Sequence, residues 1–292
     1  MSTGSGGGPD QPGLSIKECL RLSTRLPQSP SARLDTELLL ARVLGKARSY
    51  LYTWPEKILT QAQWQEFNRL LQQRALGHPV AHLLGAREFW GLELAVNEAT
   101  LIPRPETELL VEAALQLDLP ARARVLDLGT GTGAIALALA SERPRWQVVA
   151  VDKQPAAAEL AEVNRARLGL DNVRVLVSDW FAALPDAGFD LIVGNPPYIP
   201  ANDPHLAEGD VRFEPRSALV AGANGLADID TILRHSCQFL FSGGWLLLEH
   251  GYDQGEAVRQ LFQQQGFTEV ATRRDLAGHD RLTLGLWPGQ GK

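Results

Sequence analysis

From Arg124 onward the chain repeats one pattern, a short apolar run followed by a longer run with helical spacing, and this repetition constrains the fold more than any other feature. Candidate strands at Arg124–Leu128, Val148–Val151, Val173–Val177, Leu191–Val193 and Trp245–Leu248 are rich in Val, Ile and Leu, as strands covered on both faces are. Candidate helices fall at Ala134–Ala140, Ala156–Leu168, Ala227–Leu240 and Glu256–Gln265. Such alternation predicts an α/β fold, a mostly parallel sheet with helices on both faces. Two closing strands, Thr268–Arg273 and Arg281–Leu286, are separated only by a turn at Ala277-Gly-His-Asp280, so they are expected to pair as an antiparallel edge.

Upstream the pattern changes. A chain of 292 residues, 45% of them hydrophobic, can bury one large core and still carry a smaller domain. Residues 1–13 are rich in Gly, Pro and Ser and are expected to be a disordered leader, having too little apolar surface to offset their ordering entropy. Residues 14–88 read as a helical bundle, with Leu34, Leu38, Leu39, Val43 and Leu44 on one helix and Trp64, Phe67, Leu70 and Leu71 on another. Residues 89–102 read as a β-hairpin linker broken at Asn97-Glu98, and residues 103–292 as the α/β domain.

Composition excludes several classes. The start of the chain has no apolar signal segment and no apolar run is long enough to span a bilayer, so no membrane is expected and a cytoplasmic setting is. Cys19 and Cys237 are too few for a disulfide framework or a cysteine-rich zinc site, and the six histidines show no ligand spacing, so no metal is expected. The net charge of −6 is uneven: residues 1–88 carry 11 Lys and Arg against 7 Asp and Glu, and the remainder 17 against 27. An acidic α/β domain is a poor surface for a polyanion, so no direct nucleic-acid binding is expected.

Val125-Leu-Asp-Leu-Gly-Thr-Gly-Thr-Gly133 leads from a strand through three alternating glycines into a helix. Glycines there let the backbone turn sharply and approach a ligand with no side chain between. A dinucleotide site, an S-adenosyl-L-methionine site and a purely structural turn all use such a turn; the tight Gly129-x-Gly131-x-Gly133 spacing behind Asp127 sets it apart from the dinucleotide pattern. Thr130 and Thr132 complete the loop. Asp152 ends the second strand, where a carboxylate can accept from both hydroxyls of a ribose, and Ser178-Asp179-Trp180 ends the third, offering an acceptor for an exocyclic amine and an indole beside it. Each alone is as well read as a helix cap or a turn. Three successive strand ends carrying such residues make a nucleoside site.

After the fourth strand stands Gly194-Asn-Pro-Pro-Tyr198. Two prolines fix φ and remove two N–H donors, leaving a loop of acceptors. An amide or conjugated amino nitrogen is a weak nucleophile; the Asn195 side-chain oxygen and the Pro196 carbonyl, each taking one of its N–H groups, would orient it toward a methyl donor. Tyr198 would stack on the flat acceptor group. Asn195, Pro196 and Tyr198 are thus the candidate catalytic residues, and Asn195, Pro196, Pro197 and Tyr198 the candidate substrate-binding loop. Such a site works by positioning and electrostatics.

These residues, with Ile102-Pro-Arg-Pro-Glu-Thr-Glu108 and Asp210-Val-Arg-Phe-Glu-Pro215, resemble the release factor glutamine methyltransferases, the HemK or PrmC family, over residues 14–288. The resemblance implies a class I methyltransferase fold, Rossmann-like with a seven-stranded sheet, behind a helical substrate-docking domain. It implies S-adenosyl-L-methionine as cofactor, S-adenosyl-L-homocysteine as product, and N5-methylation of the glutamine in the Gly-Gly-Gln motif of bacterial class-1 release factors. Carried onto this chain, Gly129 to Gly133, Asp152, Asp179, Trp180 and Asn195 become cofactor contacts. Arg104 and Glu106 either border the acceptor channel or form an interdomain ion pair. Asn-Pro-Pro-Tyr also suits a glutamine on a ribosomal protein or adenine N6 in DNA or RNA, and a nucleoside-binding scaffold without turnover would carry a damaged loop, which this one is not.

Overall fold

The computed structural model describes residues 13–184 and 188–289, so the expected leader lies, apart from Gly13, outside the described residues. The chain divides into two compact units between Leu84 and Gly85.

The first unit contains α1 (Ile16–Arg21), α2 (Ala32–Leu44), α3 (Arg48–Thr53), α4 (Gln61–Ala75) and α5 (Val80–Leu84). Sequence-local rules start and stop them: capping boxes Ser15/Glu18 and Thr60/Gln63 satisfy the first N–H groups of α1 and α4, and Gly45, at φ 60°, ends α2 in the left-handed region. Ile16, Leu39, Leu40, Leu51, Phe67 and Leu71 form the core. The face α2 buries differs from the one its leucines suggest. Leu34 is exposed, while Asp35, Thr36 and Glu37 are buried. Partners make that possible: Arg74 meets Asp35 at 2.7 Å, and Arg33 and Arg48 each meet Glu37 at 2.7 Å. A buried carboxylate is tolerated when its charge and lone pairs are satisfied.

The second unit opens on a hairpin of β1 (Ala86–Phe89) and β2 (Leu92–Ala95). Its turn is Trp90-Gly91, with φ of 53° and 73°, earlier than the Asn97-Glu98 break read from the sequence. Two positive φ values match the twist of a tight hairpin but are unusual for Trp. Tertiary bonds hold it: Trp90 N–H donates to Glu108 at 3.0 Å and its indole N–H to Glu142 at 2.9 Å.

A 3-10 turn at Pro105–Thr107 leads into α6 (Glu108–Leu115), followed by β3 (Arg124–Leu128), α7 (Ala134–Glu142), β4 (Gln147–Asp152), α8 (Pro155–Leu168), β5 (Val173–Val177) and β6 (Phe189–Gly194). The chain closes with α9 (Ala227–Phe239), β7 (Leu240–Glu249), α10 (Gly255–Gln264), β8 (Thr268–Arg274) and β9 (Asp280–Trp287). The sheet order is β5-β4-β3-β6-β7-β9-β8, parallel except that β9 runs antiparallel to both its neighbours. The closing strands do pair, but β9 inserts between β7 and β8, leaving β8 as the edge.

Alternate residues of the central strands feed two cores. Val125, Leu191, Val193 and Leu247 pack with α6 and α7 on one face; Leu126, Ile192, Leu246 and Leu248 pack with α9 and α10 on the other. Burial on both faces is why these strands read as continuous apolar runs, each large side chain contributing about 1.5–3 kcal/mol. Strand order reverses between β3 and β6, and open α/β sheets bind ligands beyond the carboxyl ends of the strands at such a switch. Among the described residues, no helix is long and apolar enough to cross a membrane and no group of three His, Cys, Asp or Glu could hold a metal.

Candidate active site

Both strands at the switch end in sequences that cannot continue a ladder. Beyond β3, Gly129, Gly131 and Gly133 adopt φ of 70°, 56° and 86°, the left-handed region that glycine enters without a Cβ penalty. The N–H groups of Gly129 and Thr130 donate to the Val151 carbonyl, each at 2.9 Å, tying the loop to the end of β4. Thr130 Oγ1 donates to Asp127 Oδ2 at 2.6 Å. Asp127 is fully buried, and burial pushes its carboxyl up to about 7. The third glycine serves packing: a Cβ on Gly133 would meet Leu137 Cδ1 at 2.9 Å and Ala161 at 3.4 Å, so it lets α7 and α8 close beneath the loop.

Asp152 turns back over the loop, its Oδ2 accepting from Gly131 N–H at 3.0 Å and its Oδ1 from Gln154 N–H at 2.9 Å. Each oxygen keeps a lone pair for a further donor. After β5, Trp180 sits at φ 49°, held by Ser178, whose hydroxyl donates to the Trp180 carbonyl at 2.9 Å and accepts from Ala183 N–H at 3.0 Å. The indole lies against Gly129, where a Cβ would come within 3.5 Å of the ring. Asp179 is exposed beside it. Buried Asn164 anchors the loop from below, donating to the Thr132 carbonyl at 2.9 Å and the Ala95 carbonyl at 3.0 Å.

Beyond β6 the Asn195–Tyr198 turn is fixed from three sides. Asn195 Nδ2 donates to Thr107 Oγ1 at 3.2 Å. Gln254 Nε2 donates to the Tyr198 carbonyl at 3.0 Å, and Ile199 N–H donates to the Leu219 carbonyl at 2.8 Å. Gly225, at φ 73°, passes so close that a Cβ there would lie 2.1 Å from the Tyr198 carbonyl oxygen. The Tyr198 hydroxyl points to Glu249 at 3.5 Å, and burial pushes the phenol upward. Glu249, 2% exposed at the end of β7, has its carboxyl pushed to about 7 by burial, against the Thr107 hydroxyl and the Arg281 charge.

The two segments flanking this turn clasp each other. Arg104 Nη2 donates to Glu214 Oε2 at 2.6 Å and Ile102 N–H to Glu214 Oε1 at 3.2 Å. The ion pair of Arg104 therefore lies inside the second unit, and Arg104 also borders the cleft. Glu106 is exposed and close enough to Glu249 to oppose its ionisation.

Together these loops surround a cleft of about 880 Å³, open in part to solvent. Gly129, Thr130, Gly131, Thr132, Asp152, Asp179, Trp180, Asn195 and Pro197 all line it. Gly133, Pro196 and Tyr198 do not; the Tyr198 ring, expected to stack on the acceptor, is drawn inward by its hydroxyl toward Glu249. Sequence reasoning missed Thr107, Asn164, Glu249 and Gln254. Glu249 was within its reach, since a lone acid closing an apolar strand is the signal that singles out Asp152.

A sheet of this order, with a glycine-rich loop after β3 and an Asn-Pro-Pro-Tyr turn after β6, defines a class I methyltransferase. A methyltransferase from Pyrococcus furiosus shares the fold, with a TM-score of 0.53 at 17% identity over 77% of this chain and 98% of that one. Residues 20–85 match the PrmC N-terminal domain and residues 105–208 the methyltransferase small domain. The release factor glutamine methyltransferase of Pseudomonas aeruginosa is 60% identical over 264 residues, 90% of this chain and 96% of the relative. That of Escherichia coli is 53% identical over 264 residues, 90% and 95% of the two chains. The chain belongs to the release factor glutamine methyltransferase family.

Proposed function

We infer that this protein transfers a methyl group from S-adenosyl-L-methionine to the side-chain nitrogen of the glutamine in the Gly-Gly-Gln motif of class-1 peptide chain release factors. The observation that carries the reading is that Asn195 and Pro197 border the same cleft as the glycine loop, Asp152, Asp179 and Trp180. A nucleoside binder without an acceptor loop would not need that juxtaposition.

The residues suit the cofactor. The glycines let the loop backbone approach a bulky ligand closely, Asp152 keeps two free lone pairs for ribose hydroxyls, and Asp179 and Trp180 offer a carboxylate and a ring face to an adenine. Bound there, S-adenosyl-L-methionine supplies a methyl group made electrophilic by its sulfonium charge, and leaves as S-adenosyl-L-homocysteine.

The chain's part is positioning. Asn195 Oδ1 accepts an N–H of the glutamine carboxamide, orienting the amide and drawing electron density toward its nitrogen, whereas Pro196, expected to take the second N–H, does not line the cleft and is given no direct contact. Neither Pro196 nor Pro197 carries an N–H that would compete. Tyr198 serves the loop from outside the cleft, its carbonyl held by Gln254. A protein acceptor is favoured over DNA or RNA by the acidic balance of residues 89–292, 27 Asp and Glu against 17 Lys and Arg. The helical unit is assigned to substrate docking, and the substrate assigns the reaction to the cytoplasm.

Incubating the purified protein with labelled cofactor and a purified release factor tests this. Label is expected on the glutamine of Gly-Gly-Gln, located by mass mapping. Label in a ribosomal protein or in nucleic acid instead, with none in the factor, would replace the reading.

A further inference from the structure

We propose that His250 is a positioning residue for the acceptor: it seats Gly251, which holds Gln254, which holds the Asn195–Tyr198 turn. The proposal rests on the reading of that turn as the loop that grips the acceptor amide.

His250 follows β7, is fully buried and does not line the cleft. A buried imidazole has two nitrogens to satisfy, and their partners decide which of them carries the proton. Nδ1 lies 2.8 Å from the Gly251 carbonyl oxygen, which can only accept, so Nδ1 is protonated. Nε2 lies 2.9 Å from Thr283 Oγ1 on β9. That hydroxyl lies in turn 2.9 Å from Thr272 Oγ1 on β8, which accepts from Arg259 Nη1 on α10 at 2.8 Å. Among the described residues no carboxylate bonds to the imidazole, and a buried cation without such a partner is costly. Burial accordingly holds the ring below the usual histidine range, against the Gly251 carbonyl and Asp280. The ring is neutral, so Nε2 is bare. Thr283 gives its one proton to Nε2, Thr272 gives its own to Thr283, and the guanidinium, which only donates, closes the run. Every donor then meets an acceptor.

Gly251 carries this setting forward. Its carbonyl accepts from His250 and from Gln254 N–H, the latter at 3.0 Å, which uses both lone pairs. Its N–H donates to Gln254 Oε1 at 2.8 Å. The other end of the same amide, Nε2, donates to the Tyr198 carbonyl at 3.0 Å and reaches the Asn224 carbonyl at 3.5 Å. A backbone N–H only donates and a backbone carbonyl only accepts, so the Gln254 amide has a single orientation. Gln254 is buried, and water competes little for these bonds. One carbonyl of the acceptor loop is thus fixed from the end of β7 and the start of α10, backed by β8 and β9. None of these residues belongs to β3, β4 or β5, whose ends carry the loops assigned to the cofactor.

His250→Leu keeps an apolar side chain in the core and removes the donor to Gly251. It is expected to lower kcat with the release factor by at least about tenfold while the affinity for S-adenosyl-L-homocysteine, read by calorimetry, stays within about threefold of wild type. Gln254→Met, which keeps the length of the side chain and removes its bond to Tyr198, is expected to do the same. The two losses should not add: the double variant is expected within about twofold of the slower single one, because both act through one carbonyl. Independently of any substrate, nitrogen NMR of the wild-type imidazole should find His250 protonated at Nδ1 and bare at Nε2. Fully additive losses, wild-type kcat in Gln254→Met, or a proton on Nε2 in place of Nδ1 overturns the proposal. Should His250→Leu not fold, Gln254→Met and the wild-type spectrum decide. A wild-type protein that puts no label on the release factor yet shows the Nδ1 proton overturns the functional reading; one that labels the factor no faster than Gln254→Met does overturns the proposal alone.

Discussion

Gly225 lines no part of the cleft, yet its replacement should disable turnover. It lies at φ 73° against the acceptor loop, and a Cβ placed on it would stand 2.1 Å from the Tyr198 carbonyl oxygen and 2.7 Å from Gln254 Nε2. Contacts of that kind do not fall below 3.0 Å, so in Gly225→Ala the two backbones must separate by about 0.9 Å. The loop is the part that can yield, because the atom struck is its own carbonyl and the Gln254 bond that steadies it, 3.0 Å long, is struck by the same methyl group. A shift of about 1 Å in the groups that aim a nucleophile can cost on the order of 100-fold in rate. Alanine at this φ adds roughly 1–2 kcal/mol of backbone strain, which a domain of this size survives. Initial rates with the release factor should therefore show kcat down by about two orders of magnitude, while calorimetry with S-adenosyl-L-homocysteine finds an affinity near wild type, since the glycine loop of β3 is untouched. A Gly225→Ala protein with wild-type kcat would refute the claim that this loop's placement limits the reaction.

Asn195→Ala removes the acceptor's partner and should lower turnover on the order of 100-fold with little change in S-adenosyl-L-homocysteine affinity; equal losses in both, by rate and calorimetry, would deny it that role. Asp152→Ala removes a charged acceptor from the proposed ribose site and from Gly131 N–H, so the product's affinity should fall by about tenfold or more, and an unchanged binding isotherm would exclude the contact. Glu249 titrates near 7 in the folded chain against an ordinary 4.5, so the wild type loses stability as pH rises through that interval, because only the unfolded carboxyl ionises freely. Urea unfolding of Glu249→Gln beside wild type should show the difference moving in the variant's favour from pH 4.5 to about pH 7, and a constant difference would mean that the carboxyl ionises normally.

What could be read from the sequence depended on how far apart the deciding residues lie. The Asp127–Gly133 turn announces itself locally, since an apolar strand, three glycines and a helix start are contiguous and each glycine's positive φ follows from the sharpness of the turn. Asp152, Asp179 and Asn195 follow one rule, a polar residue where an apolar strand ends. The hairpin was misplaced because nothing local allows Trp90 a positive φ; Glu108 and Glu142, 18 and 52 residues away, supply the bonds that do. The buried face of α2 is not legible from its leucines, because Asp35 and Glu37 resemble surface residues until Arg74, Arg33 and Arg48 are placed. Thr107 carries no signal by itself, as its partner Asn195 is 88 residues on.

The insertion of β9 between β7 and β8 sets the order in which a growing chain can complete itself. Strands β3, β4 and β5, with the loop assigned to the nucleoside, are all synthesised by Val177, whereas β7 lacks its outer neighbour, and β8 any neighbour at all, until Trp287 has been added. On the ribosome the cofactor half can therefore condense first, and the half that grips the acceptor waits for the final strand. A chain ending before Asp280, and so lacking β9, would keep the part assigned to the cofactor and lose the part assigned to the acceptor.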